Sequence, residues 1–502
     1  MNMRRGFAAA ALALLGAGGL AWAGDAERGR ELYEGRAALP AVEGAPLAAG
    51  CVACHRPSGM GNFEGGVAVP PIAGPMLFRP LDRDTGHYFK ASDSWRVRPA
   101  YDQASLGTLL RSGRTPDGHV LPATMPRYVL GERELDDLTA YLRTLSSSPP
   151  AGLDDGTVRI ATISTPDADP SRRDAMLATL EHFVAQKNGQ SRHEAHRSTQ
   201  ATRTREMVMY RKFRVWRLEH WALQGDASTW SAQLDGWQAR QPVYAVVAGI
   251  GGAQWAPVDA FCERHRLPCL LPLVDVGAEA PNFYSLHYHA GVDADARLAA
   301  QTLKVRGLRR VALWGEAPGL TARVRDGLER EGIAVVESGA DALVSLLPPA
   351  LHVQRLRGES RPVLWLAGTH ALGTAGLEAV AATGARGWIV TPMRTGEALE
   401  RQLQRTRLWL RVRGLEALPV DVAASTLQAA TVLGEGLAHV DFAFTPEYVL
   451  ELLEHGLENV IPWSPYPRLA IGPDQRIASK GSWVGTLQAG AIDWRWEPSP
   501  AP

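Results

Sequence analysis

Two cysteines and a histidine stand close together early in the chain, where Cys51, Cys54 and His55 form a Cys-x-x-Cys-His run. Such a run could be a redox dithiol, half of a zinc site or the attachment point of a covalent haem. A thioredoxin-like dithiol would need a strand–helix–strand context, and a zinc site would need a second ligand pair nearby. The sequence offers neither. The motif follows a helical segment and a loop rich in Gly and Ala, and the next cysteine, Cys262, is far along the chain. The run therefore predicts one haem, bound through thioethers to Cys51 and Cys54, with His55 as an axial ligand of the iron.

A methionine further along the chain is expected to supply the other axial ligand. Met60 follows His55 too closely to reach the opposite side of a haem, and Met76 follows the loop expected on the histidine side. Met125 stands immediately before Pro126 and the last helical segment of this region, where the chain must cross the other side. We predict Met125 as the ligand; the alternatives are Met76, a residue other than methionine, or no second ligand from the chain. A His/Met iron has no open position, which favours electron transfer over haem catalysis, and its thioether ligand raises the reduction potential.

Three helical segments are expected to position these residues, at 25–35, 106–112 and 132–145. The sequence between them is rich in Gly and Pro, so little regular structure is expected there. A covalently held haem can supply the missing core. The last segment presents one apolar stripe, formed by Leu135, Leu138, Leu142 and Leu145.

Residues 24–147 resemble class I cytochromes c. Gly29 and Tyr33 stand where that family packs its first helix against its last. The segment 124–128 resembles the family's Met-Pro axial segment, which again assigns Met125 as a ligand. The matching face of the last helix would consist of Leu138, Tyr141 and Leu142.

The resemblance also implies a partner for the axial histidine. The segment 70–75 looks like the family's loop after the haem motif, where a proline carbonyl accepts the Nδ1 proton of the histidine. Either Pro70 or Pro71 can play this role towards His55. We take Pro71 as the cofactor-binding residue.

The N-terminus predicts export. Arg4 and Arg5 precede an apolar run at residues 6–20, and residues 21–23 (Ala-Trp-Ala) fit the small-x-small pattern of signal peptide cleavage. Residues 1–23 are therefore expected to be a signal peptide and the mature protein periplasmic. No later apolar run is long enough to span a membrane, so no transmembrane segment is expected in the mature protein.

The overall composition gives little indication of function. The chain has 502 residues, more than a single core usually organises. Lys and Arg together number 53, as do Asp and Glu, so the formal net charge is zero. That balance gives no reason to expect a nucleic acid or an anionic membrane as a partner.

The two cysteines outside the haem motif, Cys262 and Cys269, are expected to form a disulfide. Export places them in an oxidising compartment, where such bridges form and persist. Two buried, reduced thiols are the alternative.

A second domain follows a run of Ser, Pro and Gly. We predict a first domain at 24–147, a linker at 148–156 and a second domain at 157–495. The second domain alternates strand-like and amphipathic segments, as in parallel sheets covered by helices, and its length favours two lobes with a cleft between them. Strands are predicted at 159–163, 243–248, 269–274, 310–314, 342–346, 363–367 and 387–391. Helices are predicted at 172–186, 255–265, 293–305, 319–331 and 396–412.

This domain resembles type I periplasmic binding proteins, in particular the branched-chain amino acid and amide class used by ABC transporters. The resemblance lies in the segments 258–270, 284–291 and 444–448. It implies a two-lobed α/β fold, and because ligands of open α/β sheets sit beyond the carboxyl ends of strands, it gives candidate cleft residues. These are Gly251, Gly252, Asp275, Tyr284 and Thr369.

The second domain also departs from the family. The loop 164–170 lacks the glycine-containing segment usually found there, and the region 190–205 is polar and basic. These departures argue against amino acid binding, and the domain is expected either to bind another small molecule or to serve as a docking scaffold.

The expected fold class is a multidomain chain, with a mainly α cytochrome c domain followed by an α/β periplasmic-binding-protein fold. The expected function is periplasmic electron transfer to or from a redox partner, such as a quinoprotein dehydrogenase or a terminal oxidase. No catalytic triad or catalytic metal site is evident, so no enzymatic activity is expected. The alternatives are a transporter's solute-binding protein with an accessory cytochrome, and a haem enzyme or gas sensor.

Overall fold

The computed structural model describes residues 24–42, 50–64, 67–81, 97–200, 214–277, 282–440, 443–488 and 490–498. The predicted signal peptide, 1–23, lies outside the described residues. Within them, no helix is long and apolar enough to cross a membrane.

The chain divides into two compact units between Ser148 and Pro149. This point lies within the predicted linker, 148–156. The later part of that segment folds with the second unit, because Leu153 forms a β-bridge with Val158 and packs against the core there.

The first unit is mainly helical. A small antiparallel pair of strands, β1 (Asn62–Glu64) and β2 (Val67–Val69), follows the haem motif. The helices are α1 (Ala26–Tyr33), α2 (Val52–His55), α3 (Gly74–Leu77), α4 (Gln103–Ser112) and α5 (Glu132–Thr144).

The helices α1 and α5 cross at very close range. A β-carbon on Gly29 would overlap the carbonyl of Asp137 and lie 2.8 Å from the Cβ of Tyr141. The rings of Tyr33 and Tyr141 lie 5.3 Å apart, and the backbone N–H of Asp25 donates to Asp137 Oδ1 at 2.7 Å. The predicted packing of Gly29 and Tyr33 against the last helix is confirmed.

The second unit contains two sheets, each the centre of one lobe. The first lobe has a five-stranded parallel sheet in the order β4-β3-β5-β6-β7. The second has a seven-stranded sheet in the order β14-β13-β12-β11-β10-β8-β9, parallel except for the antiparallel β13 and β14. The strands are β3 (Thr157–Ser164), β4 (Val215–Ala222), β5 (Ala245–Val247), β6 (Cys269–Leu270), β7 (Ser285–Leu286), β8 (Arg310–Trp314), β9 (Ala334–Val335), β10 (Ala342–Ser345), β11 (Val363–Leu366), β12 (Gly387–Thr391), β13 (Gly481–Gln488) and β14 (Ala491–Pro498).

Helices cover both faces of each sheet. Alternate residues of β3 enter different cores, since Val158 and Ile160 belong to one apolar cluster and Ala161 and Ile163 to another. Such two-sided burial confirms the predicted α/β architecture. The helices are α6 (Pro170–Gln200), α7 (Trp230–Arg240), α8 (Ala256–His265), α9 (Gly291–Lys304), α10 (Pro318–Arg330), α11 (Pro349–Leu356), α12 (Thr374–Ala381), α13 (Gly396–Arg411), α14 (Val420–Ala438) and α15 (Pro446–Gly456).

The predicted disulfide joins the end of α8 to the start of β6. Cys262 and Cys269 are bonded, with their Cα atoms 6.2 Å apart, and both side chains are buried in the core of the first lobe.

Candidate functional site

One helical turn, α2, brings the two cysteines and the histidine of the motif together. The N–H of His55 donates to the carbonyl of Cys51 at 2.8 Å. Cys51 is buried and Cys54 exposed, and both thiols are free. Burial raises the pKa of the Cys51 thiol to about 12, so this thiol is uncharged at neutral pH. Two free thiols in this turn suit covalent attachment of a haem through thioethers.

The ring of His55 is held in the form that binds iron. It is 5% exposed, and its Nδ1 lies 2.9 Å from the carbonyl oxygen of Pro70. A carbonyl only accepts, so Nδ1 carries the proton and Nε2 keeps its lone pair. Burial lowers the pKa of His55 to about 4, against the opposing effect of the Pro70 hydrogen bond. The imidazole is therefore neutral at pH 7, as a metal ligand must be.

The acceptor is Pro70, so the choice of Pro71 is wrong. Gly61, whose N–H donates to the carbonyl of His55 at 3.1 Å, also packs against the main chain of Pro70. The histidine and the Pro70 carbonyl are thereby held side by side. The carbonyl that faces the ring is that of Pro70, the residue directly after β2.

The turn after the motif is fixed to the helix crossing. The hydroxyl of Tyr33 donates to the carbonyl of Arg56 at 2.6 Å. Because the Tyr33 ring also packs on Tyr141, the crossing of α1 and α5 positions the residue next to His55.

The three methionines differ in their surroundings. Met60 and Met76 are buried, and main-chain hydrogen bonds hold both, from the Met60 N–H to Ser58 Oγ at 3.0 Å and from Arg98 to the Met76 carbonyl at 3.0 Å. Met125 is half-buried and packs against the apolar cluster that also contains Cys51. The position of Met125 fits a soft axial ligand at the edge of this cluster.

The residues around the motif suit a haem. They combine two thiols, a neutral imidazole, a thioether and an apolar surround, which is the donor set of a His/Met c-type site. Burial raises the pKa of Tyr128 beside Cys51 and Cys54, which keeps the phenol neutral. The buried members of the cluster are Leu32, Tyr33, Leu39, Cys51, Leu77, Tyr101, Leu106, Leu109, Leu110, Tyr128, Leu130, Leu135, Leu138, Tyr141, Leu142 and Leu145.

In the second unit, the chain's own carboxylate occupies the backbone donors at the predicted cleft. Asp167 accepts from the N–H of Gly252 at 3.2 Å and from that of Ala253 at 3.1 Å. The hydroxyl of Thr165 also donates to Asp167, and a β-carbon on Gly251 would lie 2.9 Å from that hydroxyl. The structure therefore places Gly251 and Gly252 in an internally bonded loop.

Two further predicted residues, Asp275 and Thr369, meet across the lobes. Asp275 Oδ1 accepts from the N–H of Thr369 at 2.9 Å. Arg172, near the start of α6, donates to the Thr369 carbonyl at 3.3 Å and pairs with Asp421 at 3.1 Å. Both polar main-chain groups of Thr369, in the second lobe, are thus held by side chains outside that lobe.

The start of α10 makes a second contact between the lobes. Leu320 packs against the cores of both lobes. A β-carbon on Gly319 would lie 2.5 Å from the Cβ of Ala253. Apolar and polar groups of the chain therefore hold the two lobes together.

Tyr284 does not join the other cleft candidates. Its side chain is 7% exposed, and its hydroxyl donates to Glu447 in α15. Its backbone N–H donates to Glu263 at 2.8 Å. These contacts give Tyr284 a packing role within the first lobe.

Sequence reasoning missed a buried carboxyl, Asp295. It is 4% exposed and accepts from the hydroxyl of Ser482 at 2.9 Å, while its Oδ2 has no hydrogen-bond partner among the described residues. Burial raises its pKa to about 7. Helical periodicity could have found it, because Asp295 lies on the apolar face of α9, which comprises Val292, Ala296, Ala299 and Leu303.

Comparison with known proteins agrees with the geometry of the first unit. Residues 41–146 match the sequence model of the family Cytochrome c, which confirms that resemblance and implies covalently bound haem c. The comparison with curated protein sequences gives no match.

Several solved structures are similar to the chain over about two thirds of its length. A leucine-binding protein from Thermotoga maritima has 14% identity and a TM-score of 0.41, with 68% of this chain and 99% of that chain covered. A branched-chain amino acid ABC transporter protein from Thermus thermophilus with bound valine has 12% identity and a TM-score of 0.45, covering 68% and 97%. A fatty acid ABC transporter substrate-binding protein from Thermomonospora curvata has 13% identity and a TM-score of 0.45, covering 70% and 94%.

Proposed function

We propose that this protein is a periplasmic electron carrier with one covalently bound haem c. Cys51 and Cys54 would form the thioethers, and His55 and Met125 would be the axial ligands. The observation that carries this proposal is the 2.9 Å hydrogen bond between His55 Nδ1 and Pro70, which leaves Nε2 unprotonated beside two free thiols. The protein is not an enzyme in this proposal.

Each residue of the site has a part in electron transfer. The haem, when bound, supplies a one-electron redox centre. Pro70 fixes the His55 ring and its tautomer, and the Met125 thioether would bind the iron and keep small ligands from it. Burial of Cys51 excludes water on one side, while exposed Cys54 brings the other attachment point to the surface, where a partner can approach.

Export and the second unit complete the proposal. Residues 1–23 would be removed as a signal peptide, and the Cys262–Cys269 disulfide suits an oxidising compartment. We infer that the second unit docks the carrier to a redox partner, with a quinoprotein dehydrogenase or a terminal oxidase as candidate classes. Docking is favoured over trapping of a small-molecule ligand because Asp167, Asp275 and Arg172 already occupy the cleft's main-chain groups.

The test is the visible spectrum of the full chain, exported with the c-haem maturation machinery, for the wild type and Met125→Ala. We expect a weak far-red ferric band, typical of Met–iron ligation, in the wild type and its loss in the variant. Met60→Ala and Met76→Ala are controls that should keep the band. Haem content per chain tests the expected single haem.

A high-spin wild-type spectrum that lacks the far-red band would overturn the proposed ligation. The iron would then have an open position, and the hypothesis of a haem enzyme or gas sensor would replace that of an electron carrier.

A further inference from the structure

One arginine side chain closes the loop that carries Met125. The guanidinium of Arg127 donates to the carbonyl of Leu121 at 2.7 Å and to that of Pro122 at 3.4 Å. It also donates to the carbonyl of Met125 itself. A single planar group thus joins the beginning of the loop to its end.

The guanidinium lies in a place that a glycine leaves open. Gly113 ends α4 in the left-handed region with φ 75°, and a β-carbon there would overlap the Arg127 guanidinium. The carbonyl of Gly113 also accepts from the N–H of Leu121 at 2.9 Å. The end of α4 therefore forms the wall against which Arg127 rests.

The main chain beyond the loop is attached to the fold on both sides. The N–H of Tyr128 donates to the carbonyl of Leu110 at 2.8 Å, and the N–H of Val42 donates to that of Arg127 at 2.8 Å. Between the anchored residues 121 and 127, Pro122, Ala123 and Thr124 are exposed. The Arg127 side chain is the bridge that connects this exposed stretch to the anchored part.

We propose that Arg127 is a positioning residue, which holds the loop so that the Met125 thioether stays on the iron. This inference rests on the proposed His/Met ligation. Arg127 does not itself need to touch the haem. A guanidinium suits the task, because it presents five donors in a rigid fork, whereas a lysine ammonium is a point charge on a flexible stem.

The experiment compares Arg127→Lys and Gly113→Ala with wild type in the full haem-loaded chain. Gly113→Ala tests the same contact from the other side, because its methyl group would displace the guanidinium; it also strains the left-handed end of α4, so Arg127→Lys is the primary variant. Two quantities are measured in the ferric protein, the far-red band against temperature and the apparent affinity for added imidazole, which binds only when Met125 leaves the iron. Losing most of the Arg127 hydrogen bonds is expected to strengthen imidazole binding about tenfold.

Arg111→Lys is the matched control. Arg111 is also a guanidinium bonded to a main-chain carbonyl, that of Leu130, at 3.1 and 3.0 Å. It lies in the same unit, but its hydrogen bonds go to Leu130 and Glu132, outside the loop 121–127 that carries Met125. Its replacement should leave imidazole affinity near the wild-type value, even if the melting temperature of the unit falls.

Three results would count against the inference. If wild type shows the band and Arg127→Lys and Gly113→Ala keep wild-type imidazole affinity, Arg127 does not position Met125, and the proposed ligation still stands. Equal strengthening in Arg111→Lys would show a general loss of stability and would overturn the specific role. A wild type without the band would refute the proposed ligation, and the inference with it.

Discussion

The carboxylate of Asp275 accepts the backbone N–H of Thr369 at 2.9 Å, which joins the crossover between the lobes to a loop of the second lobe. The carbonyl of Asp275 also accepts from the N–H of Val292 at 2.7 Å, at the start of α9. One residue therefore holds two elements of the second lobe. Together with the hydrogen bond from Arg172 to Thr369, this arrangement fixes the lobes against each other.

Removing the Asp275 carboxylate should loosen this junction. Asp275→Ala is expected to destabilise the second unit by about 1–3 kcal/mol, because the N–H of Thr369 loses its charged acceptor. Hydrogen exchange at the Thr369 amide should accelerate, as measured by mass spectrometry of the surrounding peptide. Asp275→Asn keeps an acceptor oxygen and should have a smaller effect. Unchanged exchange in Asp275→Ala would show that this hydrogen bond does not hold the lobes.

A second prediction concerns free amino acids. Because the Asp167 carboxylate already binds the N–H groups of Gly252 and Ala253, a ligand carboxylate would have to displace it. We expect no saturable rise in the melting temperature of the second unit with leucine, isoleucine, valine or a short fatty acid. A saturable shift with any of them would restore the solute-binding interpretation and argue against docking.

Asp167→Ala gives that experiment a matched comparison. The variant frees the same two N–H groups and should cost about 1 kcal/mol of stability, similar to the loss of a helix cap. If added carboxylates leave the melting temperature of wild type unchanged but raise that of Asp167→Ala slightly, the Asp167 carboxylate is the group that blocks the cleft.

Short-range patterns in the sequence predict much of the local structure of the first unit. The motif residues lie within one helical turn. The contact of Gly29 with the last helix is present as well, and it was implied by the resemblance to class I cytochromes c. The choice between Pro70 and Pro71 was wrong, because it depends on the direction of one carbonyl, and backbone direction in a proline-rich loop is set by contacts with Gly61.

In the second unit, the sequence predicts some strands and misses others. The strand β12 is a continuous apolar run buried on both faces, and its predicted bounds are recovered. In the first lobe, β5 and β6 are shorter than the predicted 243–248 and 269–274. The edge strand β4 alternates apolar with charged side chains, and the β13–β14 hairpin joins β12 from far along the chain, so neither was predicted. The cleft candidates follow from strand ends. The loop 164–170 and the helix beginning near Arg172 were recognised, but nothing in the sequence indicates that Asp167 and Arg172 would bond to those candidates.

A third prediction tests the helix crossing. Gly29→Ala would force its methyl group into the carbonyl of Asp137, and overpacking of this kind costs about 1–3 kcal/mol. We expect a lower melting temperature of the first unit and a smaller haem-loaded fraction after export. Gly376→Ala is the control, because Gly376 is also in a helix and a β-carbon there meets nothing within 4 Å. The control should be neutral or slightly stabilising.

A haem-loaded fraction and melting temperature equal to wild type in Gly29→Ala would contradict this account. The two helices would then be able to move apart without a loss of stability, and the close approach at Gly29 would not be required for haem loading.

The last prediction concerns pH and the buried carboxyl of Asp295. Burial raises its pKa to about 7 in the folded protein, with the nearby negative charge of Asp275 adding to the shift and the Ser482 hydrogen bond opposing it. The pKa in the unfolded chain is about 4. Below pH 4 the group is protonated in both states, so its ionisation does not lower the free energy of unfolding. As the pH rises towards 7, only the unfolded chain releases the proton, so the folded state progressively loses stability.

Asp295→Asn removes this titration while keeping an acceptor for Ser482. The variant should gain stability relative to wild type as the pH rises from 4 to 7, with a constant difference above pH 8. Urea unfolding followed by tryptophan fluorescence measures this, because all but two of the tryptophans of the chain lie in the second unit. Asp293→Asn, on the same helix but paired with Arg323 at the surface, is the control and should show no such rise. A pH-independent difference between Asp295→Asn and wild type would mean that Asp295 ionises normally, and that its side chain is hydrated in solution.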